Sequence, residues 1–456
     1  MKPAREKGTR SRQMLLAAPL VAAHVGLLVV FDLAHHPVLT LALLALAFVG
    51  LAFAAWRLEA VAHPGAVLLL GACLLRLLLL PLPATLSDDA LRYIWDGKVA
   101  RAGLNPYALP PAAPELAPLH DAIWRRLPHR DVPTVYPPLA ITAFSIATLL
   151  PVPLLGWKIL ATAADFLACI FLLRLARRRG LPAGRAAWYA WNPLVALEVA
   201  GMGHVDALGV AAIVGAVLYL TPRPEDGRAS PLKGALCAAA GVLAKLAPLA
   251  LLPLWSRRSG RPLAFLGASL GLVAVAFLPV LTATGGIPPG LIRYGISWEF
   301  NGPLYEPLWR LLDAAGADRL LQAGLERLER LTGIYYGLDF LYSYLYPRLI
   351  AKAILGAGML AAVAASLRET DLAAGTGRLL GRLLLLSATV YPWYLLWILP
   401  FAALERRVPW LLLSALIPLV YLPQMAGIPL MPGVFLLVWG PFWGSLAGRR
   451  AGSRKD

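Results

Sequence analysis

Long apolar runs separated by short polar or basic punctuation dominate the chain. A helix needs about twenty apolar residues to cross a bilayer core. Runs approaching that length recur at 14–32, 38–57, 64–81, 137–152, 156–176, 186–200, 203–221, 233–254, 263–282, 349–367, 376–391, 392–404, 409–424 and 430–446. They predict membrane helices, since no ten-residue stretches alternate as the strands of an outer-membrane barrel would. Two stretches interrupt the rhythm, 82–136 and 283–348, both rich in Pro, aromatic and charged residues. They read as two large ordered loops on one membrane domain spanning 1–456. No soluble domain and no low-complexity tract stands out. Several runs are short, so about 11 to 13 crossings are expected. The fold class is an all-α polytopic membrane protein.

Composition narrows the function classes. Apolar residues make up 59% of the 456 positions and charged residues 15%, against about 25% charged in soluble domains. The mean hydropathy is +0.67. An ordinary soluble enzyme, a disordered chain and a nucleic-acid-binding domain are excluded on that ground. The net charge of +17 would otherwise suggest nucleic acid. Its basic residues instead cluster at the ends of apolar runs, the positive-inside pattern. Membrane lipids, and no nucleic acid, are therefore expected as partners. The three cysteines, Cys73, Cys169 and Cys237, lie in apolar runs without paired spacing and read as small core residues.

Orientation follows from the same clusters. The basic start, Arg5 to Arg12, is placed in the cytoplasm, and three crossings put 82–136 outside. That start resembles a signal peptide, yet further apolar runs follow closely and no clean cleavage site appears, so a retained first helix is expected. Arg257, Arg258 and Arg261 fall inside, which puts 283–348 outside too. The C-terminal Arg449, Arg450, Arg454 and Lys455 return inside if the short segments around Tyr391-Pro392 form a hairpin. Arg177-Arg178-Arg179 falls inside only if 137–152 is re-entrant and 186–221 counts as a single broken crossing. Broken helices are tolerated where they line a cavity. The expected location is the cell inner (plasma) membrane, with both large loops extracytoplasmic.

Chemistry concentrates at the start of the first loop, Ser87-Asp88-Asp89-Ala90-Leu91-Arg92-Tyr93-Ile94-Trp95-Asp96-Gly97-Lys98. Ser87 suits an N-cap. Leu91, Trp95, Val99 and Ala102 fall on one helical face, as in a helix lying in the membrane interface. A carboxylate there can take a proton from a hydroxyl nucleophile, and a neighbouring carboxylate can raise its pKa. The plainer alternative is a pair of acidic first-turn residues favoured by the helix dipole. The loop continues Gly103-Leu104-Asn105-Pro106-Tyr107 and later Pro133-Thr134-Val135-Tyr136-Pro137-Pro138-Leu139, where the prolines fix turns.

Glu198, His204 and Asp206 stand within nine residues of otherwise apolar sequence. Ionisable groups at that depth tend to face a cavity or one another. They read either as acceptor or phosphate contacts or as a mutually satisfied cluster bracing a broken helix. A metal site there is disfavoured, because no second histidine sits at ligand spacing, and no cofactor is expected. Lys245, inside an apolar run, either snorkels to the interface or pairs with a phosphate or carboxylate. Arg76 and Asp165 could pair with each other. In the second loop, Trp298, Tyr305 and their neighbours fit an aromatic belt. Arg293 is its best phosphate candidate, since a guanidinium grips phosphate in bidentate fashion. The stretch 318–332, with Leu320, Leu321, Leu325 and Leu328 among Glu and Arg, reads as a helix on the membrane surface.

An acidic pair after the first few helices, then Gly-x-Asn-Pro-Tyr at 103–107 and Tyr-Pro-Pro-Leu at 136–139, resembles the polyprenyl-phosphate-sugar-dependent glycosyltransferases of the GT-C fold. The likeness is to their mannosyltransferase-like branch. It continues through Ala190-Trp191-Asn192-Pro193-Leu194, Glu198, Gly203-His204-Val205-Asp206 and Lys245-Leu246-Ala247-Pro248. Beyond about residue 283 only Tyr391-Pro392-Trp393-Tyr394 supports it. The resemblance implies a GT-C-like bundle that moves a hexose, as in mannosyl transfer, from a polyprenyl-phosphate donor to an extracytoplasmic glycan or lipid acceptor. It implies an inverting displacement with Asp88 or Asp89 as catalytic base; the second position is Asp where related enzymes often carry Glu. Arg92, Tyr93, Asn105, Tyr107, Tyr136, Glu198, His204, Asp206 and Arg293 become the candidates for substrate binding, with no metal. The competing class is a transporter or flippase of lipid-linked sugar, which internally repeated halves would favour; none are seen. A polysaccharide polymerase or ligase, with its main functional loop late in the chain, is a third.

Overall fold

The computed structural model describes residues 17–333 and 339–452. The basic stretch Arg5 to Arg12, the first residues of the run at 14–32, and Arg454 and Lys455 fall outside them. The protein is an all-α polytopic membrane protein. Among the described residues no named strand occurs, only isolated bridges from Phe300 and Asn301 to Thr389. Six helical stretches are long and apolar enough to cross a membrane: Pro37–Ala60, Pro153–Arg178, Pro262–Thr284, Pro347–Ser366, Val408–Ala426 and Leu430–Gly448. Five shorter apolar helices accompany them: Ala18–Val30, Pro64–Leu79, Pro138–Ala147, Asp206–Leu220 and Pro231–Ala244. Only 22% of the apolar window of Pro262–Thr284 is buried, and Leu263 and Val275 stand out from it. An apolar face of that size needs lipid, not water, around it.

Proline sets where many of the helices begin. Pro37, Pro64, Pro138, Pro153, Pro231, Pro262, Pro289 and Pro347 each open one. There the missing N–H costs nothing, because the first turn's N–H groups have no intrahelical partner.

The helices share two distinct ends. At one, Arg179 at the close of Pro153–Arg178 grips Asp371 at 2.7 and 2.8 Å and reaches Glu405 at 3.0 Å. Arg185 donates to the Leu404 carbonyl at 2.6 Å and Arg258 to the Glu369 carbonyl. Arg177-Arg178-Arg179 therefore lies with the Arg257-Arg258 cluster, as the re-entrant alternative requires. The Pro138–Ala147 helix is ten residues long, and Arg101 at the end of the first-loop helix donates to Thr148 just beyond it. This short helix packs beside the loop and does not traverse the bundle.

Two segments differ from expectation. The run 186–221 is two opposed arms. One climbs through Ala183–Ala190, Pro193–Ala196 and a π-turn at Leu197–Gly201. The other, Asp206–Leu220, returns to the basic end, where Arg178 donates to Thr221 at 3.0 Å. The run 233–254 is likewise not one helix. Pro231–Ala244 stops at Lys245, whose backbone is extended (φ −159°, ψ 138°). A 3-10 turn, Ala247–Leu251, and the helix Leu252–Arg258 then lead back to the basic end. Pro248 and Pro253 lack the N–H groups a continuing helix would need. Average hydropathy is blind to such breaks, because Lys245 is flanked by apolar residues on both sides.

Deep in the first helices, Arg76 and Asp165 do pair, at 2.6 Å and with 1% and 0% of their side chains exposed. Tyr189 donates its hydroxyl to the same carboxylate. Lys158 is buried and donates to the carbonyls of Leu80 and Leu82 at 2.7 and 2.6 Å. These are carbonyls at the end of Pro64–Leu79, which lack helical partners. Lys158 thereby holds the turn that leads into Ser87-Asp88-Asp89.

Candidate functional site

The first-loop helix runs Asp89–Arg101, with Asp88 at its N-cap. Ser87 is one residue too early to cap it in the expected way, although its hydroxyl accepts the Asp89 N–H at 3.2 Å. Leu91, Trp95 and Val99 are covered by Ala113, Leu116 and Leu127 of the same loop. The opposite face lies on Pro138–Ala147, and Gly97 makes that approach tight: a β-carbon there would sit 2.5 Å from the Phe144 carbonyl carbon. The loop helix is thus held on two sides, and its first turn is fixed in place.

That first turn separates the two aspartates. Both line the same cavity, but Asp88 is exposed and pairs with Arg126 at 3.3 Å. Asp89 is half-buried in the wall of a cavity of about 1150 Å³. Burial pushes the Asp89 carboxyl above the usual range, against the pull of the His204 and Lys245 charges and with a push from Asp206. The Tyr93 hydroxyl stands 3.5 Å from it.

Behind Asp89 lies a polar tier. His204 Nδ1 is 2.9 Å from the Glu198 carboxylate and 3.1 Å from the Glu198 carbonyl. Its Nε2 is 3.2 Å from the Ser87 hydroxyl. Glu198 also accepts the Tyr421 hydroxyl at 2.9 and 3.0 Å. Asp206 is gripped by Lys245 at 2.8 and 2.9 Å. Glu198, His204 and Asp206 are each 0% exposed. They meet the cavity through Ser87, Tyr421, Lys245 and the Trp393 ring, which line it. Local backbone explains their convergence: the π-turn carries Glu198 inward, and Gly203 turns the chain at φ +80°. Trp157 donates to the Gly203 carbonyl at 2.6 Å and pins that turn.

Aromatic rings form a second wall. Phe300 stacks on Tyr391 (4.6 Å, 16°), Tyr391 on Trp393 (4.5 Å, 3°), and Trp393 on His204 (3.7 Å, 14°). Lys245 lies over Tyr394 at 4.7 Å and Trp397 at 5.3 Å. Tyr294 of the helix Pro289–Ser297 hydrogen-bonds Tyr394. The second loop is docked by Phe300, which exchanges backbone hydrogen bonds with Ala388 and Val390 at 3.0 and 2.7 Å. The third wall is apolar. Met359, Leu360 and Val363 line it together with Leu380, Leu383 and Leu384, and Leu360 is 74% exposed.

The remaining sequence candidates are placed as follows. Arg92 lines the cavity but is occupied, by Asp96 at 2.8 Å and the Val132 carbonyl at 2.7 Å. Tyr93 is buried, stacked on Phe144 and edge-on to Tyr136; Tyr136 itself lines the cavity. Burial raises both phenols well above their ordinary range. Asn105 accepts the Tyr107 N–H at 2.9 Å, an Asx turn, and Tyr107 is buried beneath the loop. Neither lines the cavity. Arg293 points away, to Asp131 at 3.4 Å with both side chains exposed; its neighbours Leu291 and Tyr294 face inward. The amphipathic helix of the second loop spans Ala317–Thr332, with Leu320 and Leu331 exposed.

Lys245, Ser87, Tyr421 and the aromatic run 391–397 were not singled out as binding residues by sequence. For Lys245 the signal was a charge in an apolar run. For Tyr421 there was none, since it sits among leucines and prolines. Among the described residues no group of three or more His, Cys, Asp or Glu side chains is arranged to hold a metal ion.

A family model described as alpha-(1->6)-mannopyranosyltransferase, N-terminal domain, matches residues 10–257. The match takes in Asp88 and Asp89, the Glu198–Asp206 tier and Lys245. It ends before the second loop and the apolar flank. No curated protein and no solved structure matches the chain.

Proposed function

This chain belongs to the alpha-(1->6)-mannopyranosyltransferase family, and on that premise we propose that it takes mannose from a polyprenyl-phosphate donor to an extracytoplasmic glycan or lipid acceptor. It is a glycosyltransferase of the membrane, and mannosyl transfer is the family's activity. The donor, the acceptor and the mechanism belong to the proposal. So does an orientation with both large loops outside, on a single domain in the plasma membrane. One observation carries it: a carboxylate, a cation and an apolar wall share one cavity. The proposed lipid tail lies along Met359, Leu360, Val363, Leu380, Leu383 and Leu384, with its phosphate beside Lys245.

Asp89 is the proposed base. Both aspartates line the cavity, but Asp89 is half-buried with its carboxyl raised by burial, whereas Asp88 is exposed and held by Arg126. An acceptor hydroxyl loses its proton to Asp89 as its oxygen attacks the anomeric carbon. The polyprenyl phosphate departs with the bonding electrons, and configuration inverts. Lys245 offsets the charge that grows on the leaving phosphate. The Trp298 ring at the cavity suits the sugar, whose C–H faces stack on rings, since both faces of Tyr391 and Trp393 are taken within their own stack. Tyr93, Asn105 and Tyr107 support the walls from behind, with Arg92 and Tyr136 on the surface.

The test is sugar transfer by purified protein in nanodiscs, with radiolabelled polyprenyl-phosphate mannose and a membrane-lipid acceptor mixture. Asp89→Asn is expected to lower kcat by a factor on the order of 10²–10⁴, the range of general-base assistance. Asp88→Asn is expected to stay within a few-fold of wild type. Full transfer by Asp89→Asn would move the base elsewhere.

A further inference from the structure

A second cavity, of about 310 Å³, lies at the basic end of the bundle and shares no lining residue with the Asp89 site. It forms where the helices Pro231–Ala244 and Pro262–Thr284 begin. Ser230 follows the turn at Thr221 that Arg178 holds, and Arg261 follows Arg258, which donates to the Glu369 carbonyl. The polar lining is Ser230, Lys233 and Arg261; Leu232 and Phe265 are among the apolar lining. No acidic residue lines the cavity.

The two cations are unusual in lacking a counter-charge. Among the described residues neither Lys233 nor Arg261 pairs with a carboxylate. Asp226, in the loop before the cavity, is taken up within that loop by Arg223 at 3.8 Å and by the Arg228 N–H at 2.9 Å. Lys233 instead lies over the Tyr219 ring, 5.7 Å from its centroid, and Ser230 does not spend its hydroxyl on capping the helix that follows. Two positive charges in one cleft repel each other, and an anion between them turns that repulsion into attraction. A guanidinium grips a phosphate in bidentate fashion while an ammonium adds a point charge.

The surroundings choose the source of that phosphate. Pro262–Thr284 is long and apolar enough to cross a membrane, so Arg261, one residue before it, stands at headgroup level. Leu263 is 85% exposed beside it, and Leu232 is 66% exposed at the cavity itself. Leu236, also exposed, lies one helical turn beyond Leu232 on the same face. A soluble anion has no use for that apolar rim, whereas an acyl chain covers it. We propose that the cleft binds the headgroup phosphate of an anionic phospholipid between Lys233 and Arg261, with the Ser230 hydroxyl as a further donor and the acyl chains along Leu232, Leu236 and Leu263. A lipid seated there ties the two helices together at the end opposite Lys245, where Pro231–Ala244 stops. This site is independent of the sugar donor and of the base.

The test uses the full-length protein in detergent micelles and follows its melting temperature as lipid is added, since a ligand that binds the folded state raises it. The probes are dioleoylphosphatidylglycerol, dioleoylphosphatidylcholine and inorganic phosphate. The variants are Lys233→Gln, Arg261→Gln, the double variant, Lys233→Arg, which keeps the charge, and Arg57→Gln, which removes an exposed charge elsewhere at the basic end. Phosphatidylglycerol is expected to raise the melting temperature of the wild type more than either other probe. A basic side chain near an anionic headgroup is worth about fivefold in affinity. The half-effective lipid fraction should therefore rise about fivefold in each Gln variant and about thirtyfold in the double variant, with Lys233→Arg and Arg57→Gln as wild type. A double variant that responds like wild type, or a wild type that does not respond, would overturn the site. A loss in Arg57→Gln as large as in the double variant would reduce it to general surface charge. Equal protection by phosphatidylcholine would mark a site for acyl chains alone, and equal protection by inorganic phosphate a site for a soluble anion; either result would refute the phospholipid.

Discussion

Replacing Lys245 separates a binding role from a bracing role, because the same ammonium serves both. Its Nζ lies 2.8 and 2.9 Å from the two oxygens of Asp206, and it lines the cavity beside the aromatic wall. A unit charge about 4 Å from a phosphate is worth about 4 kcal/mol at an effective dielectric of 20. Asp206 offsets much of that attraction, since the pair as a whole is neutral. A net contribution of about 1–2 kcal/mol to donor binding remains, or roughly 5- to 30-fold in Kd. Stability moves separately. Lys245→Gln leaves Asp206, 0% exposed, without its cation, and breaking one partner of a buried pair costs about 3–5 kcal/mol.

The cycle is Lys245→Gln, Asp206→Asn and the double variant, read by donor-phospholipid titration in nanodiscs and by thermal melting. Lys245→Gln should lose both affinity and stability. Asp206→Asn should keep or improve affinity, because the ammonium is no longer shared. The double variant should recover much of the stability and none of the affinity. Donor affinity of the double variant equal to wild type would refute a phosphate contact at Lys245 and leave it a brace.

Burial raises the Asp89 carboxyl, and the base works only when ionised. Transfer should therefore fall off on the acid side at a pH above that of an ordinary aspartate, about 3.9; a kcat/KM profile still flat at pH 4 would contradict this. Arg76→Met should destabilise the protein by about 3–5 kcal/mol, and Arg76→Met with Asp165→Leu should recover most of it, as judged by melting. In a cysteine-free background, Arg125→Cys in the first loop and Arg57→Cys at the basic end should react with an impermeant maleimide from opposite sides of the membrane. Labelling of both from one side would overturn the proposed orientation.

The helical class was legible because a bilayer demands long apolar runs. The acidic pair was legible as chemistry, but two adjacent aspartates look alike until the helix start is placed. Asp88 falls at the exposed cap against Arg126, and Asp89 one residue on is half-buried, although both line the cavity. The turns around Gly203 and Lys245 were hidden by the same apolarity that marked the segments. Hydropathy averages over a window longer than the break. Arg293 was a sound phosphate candidate by residue type, yet its side chain leaves the wall its neighbours build. Aromatic residues at 391–397 read as a turn because nothing in their spacing announces that His204, nearly two hundred positions earlier, supplies the end of their stack.

The walls of the cavity come from separate stretches of chain. The acid, the histidine and the lysine are all contributed by residues 87–245, whereas the apolar flank proposed to take the lipid carrier comes from Met359 to Leu384. Such a partition lets selection act on each independently. Drift in the late helices can retune which carrier length is accepted while the proton chemistry is inherited intact. The late half of this gene is thus the place to look for divergence between paralogues, and the place where an engineer can exchange segments with least risk to turnover.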